Sequence, residues 1–341
     1  MLFSTIQNNR HSQQPMEQKA FLYAQYRRLD ELSTKFEDED EQDEDEEDEL
    51  LEAIITVSDN ILKILPEDQA AIQCKAFALL ELEDYETVIS STASFAGRGA
   101  VTFERAYALY KLKQERAALQ ELESEGEELN FDMLQLQGQI HYKLGDYEKS
   151  AATYERVFVL ADEEMKKDED DRNFECDDGD RMELCTNMAA AYVNANRPTK
   201  GLEAIDARFP TTKEYELLFN RACALVACSA FAQARQCLEQ ADVVAKTSME
   251  EEGCTPEEIE QRSMVIQASR AVVDQLCGDE ISARKGYERV VSILPKGNNS
   301  AVVAQNNIVS LRGDEHVRIL YLFVFFLFLS PVPLYCLLFF G

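Results

Sequence analysis

The chain has 341 residues, 45% of them hydrophobic, with a formal net charge of −30 from 64 acidic and 34 basic side chains. That apolar share supplies a continuous core, the few Gly and Pro leave little punctuation for sheets, and a surface this negative repels phosphate backbones, which argues against nucleic-acid binding by the body. No alternation bounded by turn pairs signals strands, so an all-α body is expected.

In chain order, residues 1–16 lack an apolar core and read as a disordered N-terminus without a cleavable signal. MEQKAFLYAQYRRLDELSTKF and LLEAIITVSDNILKILP read as the two helices of a first, atypical repeat ending at Pro66. Between them, 37–49 is a block of like charge that repels itself and is expected to be a disordered loop. A template of small, turn and small or bulky residues then recurs. It is clearest as Ala271, Gly278, Ala283, Tyr287, Pro295 and as Gly138, Gly145, Ala151, Tyr154. Its first small position falls at Ala76, Ala106, Gly138, Ala189, Ala222 and Ala271, with Ala118 and Leu122 in the second unit and Ala234, Leu238 and Ala241 in the fifth. Tyr85 and Tyr147 follow the inter-helix turn, where an aromatic plugs the gap between helices.

Small residues at fixed offsets in units of about 34 residues let two helices pack closely, which is the signature of tetratricopeptide repeats. The expected fold is therefore all-α, a right-handed α-solenoid of tetratricopeptide-like helix pairs over 17–317, counted as one array because each unit contacts only its neighbours. A second acidic run near 162–180 is expected as another disordered loop, and MEEEGCTPEEIEQR at 249–262 as a milder one that lengthens the interval between Ala222 and Ala271.

Nine cysteines without a Cys-x-x-Cys pair read as reduced, small core residues of a cytosolic protein. His11, His141 and His316 are isolated, and no phosphate loop, zinc spacing or nucleophile motif appears, so neither catalysis nor a metal or other cofactor is expected. The candidate residues lie instead on the A-helix positions that face the concave side of such repeats. They are Phe103, Tyr107, Tyr110, Lys111, Gln135, Gln139, Tyr142, Lys143 and Phe219, with Cys223 beside the last. Aromatics near Lys can anchor a peptide at low entropic cost. Gln73, Phe77, Asp132 and Leu136 stand where a carboxylate-binding clamp would need cations, which argues against capture of an acidic C-terminus.

The segments FERAY at 103–107, NRACAL at 220–225 and QNNIV at 305–309 follow one another in that order. With them, from about 17 to 317, the chain resembles the N-terminal repeat domain of the signal recognition particle seventy-two-kilodalton subunit. The resemblance implies a solenoid that clasps a segment of the sixty-eight-kilodalton subunit, in a cytoplasmic particle that targets secretory proteins to the endoplasmic reticulum. In that family a separate basic region binds the particle RNA, whereas here the likeness stops at Val317, so any tie to RNA is expected to be indirect. Residues 318–341 are hydrophobic, and 319–340 lack any charge and are long enough to span a bilayer. Pro331 and Pro333 interrupt that stretch, so an aberrant C-terminus is expected before a tail anchor. A tail-anchored repeat receptor or adaptor on an organelle membrane is the alternative.

Overall fold

The computed structural model describes residues 16–38, 44–95, 98–124, 126, 129–167, 172, 174 and 176–311. Among them every element is a helix and there is no strand, as the sequence implies. Residues 1–15, 39–43 and the whole hydrophobic tail lie outside the described residues. The array expected as one domain divides into two compact units, one ending at Leu144 and one beginning at Gly145.

The first unit holds α1 (Met16–Asp38), α2 (Glu44–Leu62), α3 (Gln69–Glu81), α4 (Tyr85–Thr92), α5 (Thr102–Lys111), α6 (Glu115–Glu123) and α7 (Phe131–Lys143). Leu22, Leu29 and Leu32 of α1 bury against Leu51, Ile54 and Ile61 of α2, and Ala71 and Ala78 of α3 complete that cluster. The opposite face of α3, with Ile72, Ala76 and Leu79, belongs to a second cluster that continues through Val88, Ala106, Leu109, Ala118 and Leu122 to Leu136 and Ile140. Helix α3 therefore buries two faces, one toward α2 and one toward the helices that follow, which is how a repeat that cannot bury its apolar face alone becomes stable.

The second unit holds α8 (Tyr147–Glu164), α9 (Asp178–Asn194), α10 (Pro198–Arg208), α11 (Tyr215–Ala227), α12 (Phe231–Glu251), α13 (Pro256–Leu276), α14 (Glu280–Ile293) and α15 (Asn299–Ser310). One cluster joins Leu218, Ala222 and Leu225 to Ala234, Leu238 and Ala245 and on to Ile266; another joins Ala271, Ala283, Tyr287 and Ala304. The template's small positions are all buried: Ala76, Ala106, Gly138, Ala189, Ala222 and Ala271, and so are Ala118, Ala151, Ala234 and Ala283. Two glycines outside the template serve the same end. A methyl on Gly201 of α10 would come within 3.2 Å of the Ala189 carbonyl oxygen of α9, and one on Gly286 of α14 within 2.7 Å of the Ala271 methyl of α13.

The acidic segments depart from expectation. Helix α1 runs to Asp38 and α2 starts at Glu44, so the block read as a loop over 37–49 lends its ends to two helices; only 39–43 stay outside the described residues. Acidic side chains in a first helical turn complement the positive end of the helix dipole, and that attraction offsets their mutual repulsion. Near 162–180, α8 extends to Glu164 and α9 opens behind a reciprocal cap. Asp177 accepts from the Asp180 backbone N–H (2.8 Å), and Asp180 accepts from that of Asp177 (3.1 Å). The third acidic stretch is mostly helix, the end of α12 and the start of α13, and only residues 252–255 between them form a loop. Thr255 and Glu258 form a capping box there and Pro256 takes a first-turn position, so the local chemistry starts a helix. The long interval between Ala222 and Ala271 comes from lengthened helices.

Among the described residues, the A-to-B turns share one geometry. Glu83, Lys113, Gly145, Asn196, Ser229 and Gly278 all have φ between 55° and 81° or, for Gly278, 84°. After Lys113, for example, the Gln114 N–H donates to the Leu109 carbonyl (2.9 Å) and the Lys113 N–H to that of Tyr110 (2.9 Å). This is a Schellman closure, which satisfies carbonyls left open at a helix end.

Candidate functional site

The expected binding face of the first unit is built on the A helices α3, α5 and α7. Its centre is an aromatic cluster at the end of α5. Phe103 and Tyr107 stack one turn apart with ring centroids 5.9 Å apart, and Tyr85, the first residue of α4, meets Tyr107 edge-on at 6.4 Å. The Lys111 ammonium lies 5.6 Å from the Tyr85 and Tyr107 ring centres and 3.9 Å from the Glu83 carboxylate. Glu83 also accepts from the Tyr85 hydroxyl (3.1 Å). A cation is thus held between two aromatic faces and a carboxylate, an arrangement in which the ring quadrupoles and the carboxylate attract the same charge. Burial is the main cause that raises the phenol pKa of both tyrosines, and the neighbouring carboxylates add to it.

The expected residues do not all present themselves equally. Tyr107 is only 9% exposed and belongs to the core shared by α3–α7, so it packs the repeats together more than it offers surface. Phe103, Tyr110 and Lys111 are half-buried, with one side on that core. On α7, Gln135, Gln139 and Tyr142 are half-buried and Lys143 is exposed. On α3, Gln73 donates to the Ala100 carbonyl (2.7 Å), which ties it to the short 3-10 turn Arg98–Val101 ahead of α5, while Phe77 stays 40% exposed and meets Phe36 of α1 edge-on at 5.5 Å. Phe219 lies on α11 in the other unit, half-buried against the α11–α13 core, and Cys223 beside it is buried, its thiol pushed up to about 12 by loss of water.

The sequence reading places Tyr85 in the inter-helix gap but not in the binding face, and it misses Glu83 and Arg105. Tyr85 and Glu83 complete the aromatic cluster; the signal was the fixed position of Tyr85 just beyond an inter-helix turn. Arg105 is 6% exposed and its guanidinium donates to Glu121 (3.1 and 2.6 Å), to the Thr92 hydroxyl (2.7 Å) and to the Ile89 carbonyl (3.3 Å), fastening α5 to α4 and α6. Such charge-assisted, forked bonds are stronger than neutral ones.

Residues 57–176 match a family model described as a putative TPR-like repeat of the signal recognition particle type. The chain is 27% identical over 260 residues to signal recognition particle subunit SRP72 of Dictyostelium discoideum, an alignment covering 76% of this chain and 36% of that one. It is 26% identical over 269 residues to the human SRP72 (78% and 37%) and 29% identical over 266 residues to that of Schistosoma mansoni (77% and 35%). Among solved structures, a tetratricopeptide repeat protein from Parabacteroides merdae aligns with TM-score 0.49 and 11% identity, over 80% of this chain and 90% of that one. The C-terminal part of a TPR repeat-containing protein from Cytophaga hutchinsonii gives TM-score 0.45 and 13% identity, over 71% and 89%. The chain spans little more than a third of the length of these SRP72 relatives. Across about three quarters of its own length it is similar to them, and the resemblance read from its residues holds.

Proposed function

We propose that this chain is a protein-binding scaffold subunit of the signal recognition particle, whose helix pairs clasp a segment of the sixty-eight-kilodalton subunit. Its setting would be the cytosolic particle that brings secretory proteins to the endoplasmic reticulum during translation. The single observation that carries this reading is the similarity to SRP72 across 76–78% of the chain. The half-buried aromatics of α5 support it, since large rigid side chains concentrate binding energy in interfaces. With a net charge of −30, the chain would meet the particle RNA through its partner and not directly.

Co-purification of the full chain with the sixty-eight-kilodalton subunit tests the proposal. Replacing Phe103 and Tyr110 by Ala, with the core residue Tyr107 kept, should weaken that complex by about tenfold or more at unchanged helicity. A folded chain that fails to retain the partner would refute the reading. In a salt-controlled shift assay the chain alone should leave particle RNA unshifted at physiological ionic strength.

A further inference from the structure

We propose that the segment taken by the α3–α5–α7 face of the first unit is basic: a peptide in which Lys or Arg side chains alternate with apolar ones. This rests on the peptide-clasping role proposed above and names the chemistry of what is clasped.

The argument is charge complementarity. Glu81 closes α3, Glu104 lies in the first turn of α5 and Asp132 in the first turn of α7. Among the described residues none of the three has a cationic side chain within ion-pair distance. Glu81 ends α3 two residues before Glu83 and four before Tyr85, and its charge adds to the rise of the Tyr85 and Tyr107 phenols. Glu81 and Asp132 are exposed and Glu104 is half-buried, so all three present charge at the surface; what shielding they have raises their carboxyl groups, with the Glu47 carboxylate adding to the effect at Glu81 and a backbone hydrogen bond opposing it at Glu104. A ligand cation would relieve that penalty and a ligand carboxylate would add to it.

The basic side chains nearby do little to offset this charge. Lys111 is already committed to Glu83 and to two tyrosine rings, and Lys75 to Asp59 of α2 (2.5 Å). Arg105 is bonded to Glu121, and Lys113 and Lys143 lie exposed just beyond α5 and at the end of α7. The Lys111 arrangement also shows how this surface receives an ammonium group, between an aromatic face and a carboxylate. Phe103, Tyr110 and the exposed edge of Phe77 supply apolar area for the intervening residues of a ligand.

The test is fluorescence anisotropy of the full chain with overlapping synthetic peptides tiled across the sixty-eight-kilodalton subunit. It is run in parallel with a designed peptide alternating Lys and Leu and with its counterpart carrying Glu for Lys. The tiled peptide bound best should carry net positive charge. Combining Glu81→Gln, Glu104→Gln and Asp132→Asn should weaken its binding by about tenfold and flatten its salt dependence. A best-bound peptide that is neutral or acidic, or a neutralised variant that binds equally well, would overturn the inference. If no tiled peptide binds the folded chain, the partner assignment fails. Preference for the Lys peptide over the Glu peptide then still supports the basic-ligand inference, and indifference between them overturns it. Circular dichroism of the neutralised variant guards against misfolding, which removal of unpaired carboxylates should not cause.

Discussion

The two units solve the same packing problem with different side chains. In the first, α5 is fastened to its neighbours by a buried guanidinium, Arg105 to Glu121 and Thr92, and by the edge-on contact of Tyr85 with Tyr107, which itself stacks on Phe103. In the second, the helices approach until almost nothing separates them: Gly201 against the Ala189 carbonyl, Gly286 against the Ala271 methyl. The first device carries charge and aromatic surface to the edge of the A helices and so leaves chemistry available to a ligand. The second device is internal and fixes spacing without itself reaching the surface, although that unit also has polar ties of its own, among them Arg235 to Asp274 and Tyr287 to Gln275. A shared repeat geometry therefore does not imply a shared capacity to bind, and the binding face proposed above falls on the unit where the fastener of an A helix is an aromatic cluster that holds a cation.

The sharpest way to break this contrast is Arg105→Ala. It strands the Glu121 carboxylate and the Thr92 hydroxyl in a region where both are largely shielded, and cutting one partner from a buried pair costs about 3–5 kcal/mol. Hydrogen exchange should show the loss of protection in α4–α6, with α12–α14 unaffected. Equal loss in both units would mean that the fastener is not local. The matching change in the second unit is Gly286→Ala. Alanine is favoured over glycine inside a helix by about 1 kcal/mol, yet its methyl would lie 2.7 Å from that of Ala271. Overpacking of about 1–3 kcal/mol should prevail, lowering the melting temperature. Adding Ala271→Gly should recover much of the loss. Gly201→Ala, at 3.2 Å from a carbonyl oxygen, should come closer to neutral.

How much of this the sequence discloses depends on whether a feature is periodic. The small positions recur at fixed offsets, so Ala76, Ala106, Ala222 and Ala271 point to the helix pairs and to the buried seams that the structure shows. Composition misleads where a terminus overrides it. The acidic runs at 37–49 and 249–262 look unable to fold, but a helix N-terminus is where carboxylates are tolerated best, and a Thr-Pro-Glu-Glu cap turns the second into the opening of α13. The face of α5 is legible as a stripe of aromatics, whereas the burial of Tyr107 is not, because it depends on Tyr85 arriving from the neighbouring helix. Arg105 is invisible in sequence for the same reason: its partners lie 13 and 16 residues away on two other helices.

The smallest expected effect concerns the turns and returns to the same comparison. Gly145 and Gly278 mark the A-to-B turn openly, but Glu83, Lys113, Asn196 and Ser229 occupy the same left-handed conformation with a side chain attached. A side chain there crowds the following carbonyl at a cost of about 1–2 kcal/mol, while glycine gives back part of that through its greater freedom in the unfolded chain. Lys113→Gly should therefore stabilise the first unit by about 0.5–1 kcal/mol. Glu83→Gly should gain less, because Glu83 also holds Lys111 and the Tyr85 hydroxyl in the aromatic cluster. Asn196→Gly should gain least, since asparagine tolerates this conformation better than other side chains. Thermal melts of the three variants, compared under identical conditions, test that order. If Glu83→Gly stabilises as much as Lys113→Gly, then the Glu83–Lys111 contact contributes nothing to the folded state, and the cation-holding cluster proposed as part of the binding face loses one of its supports.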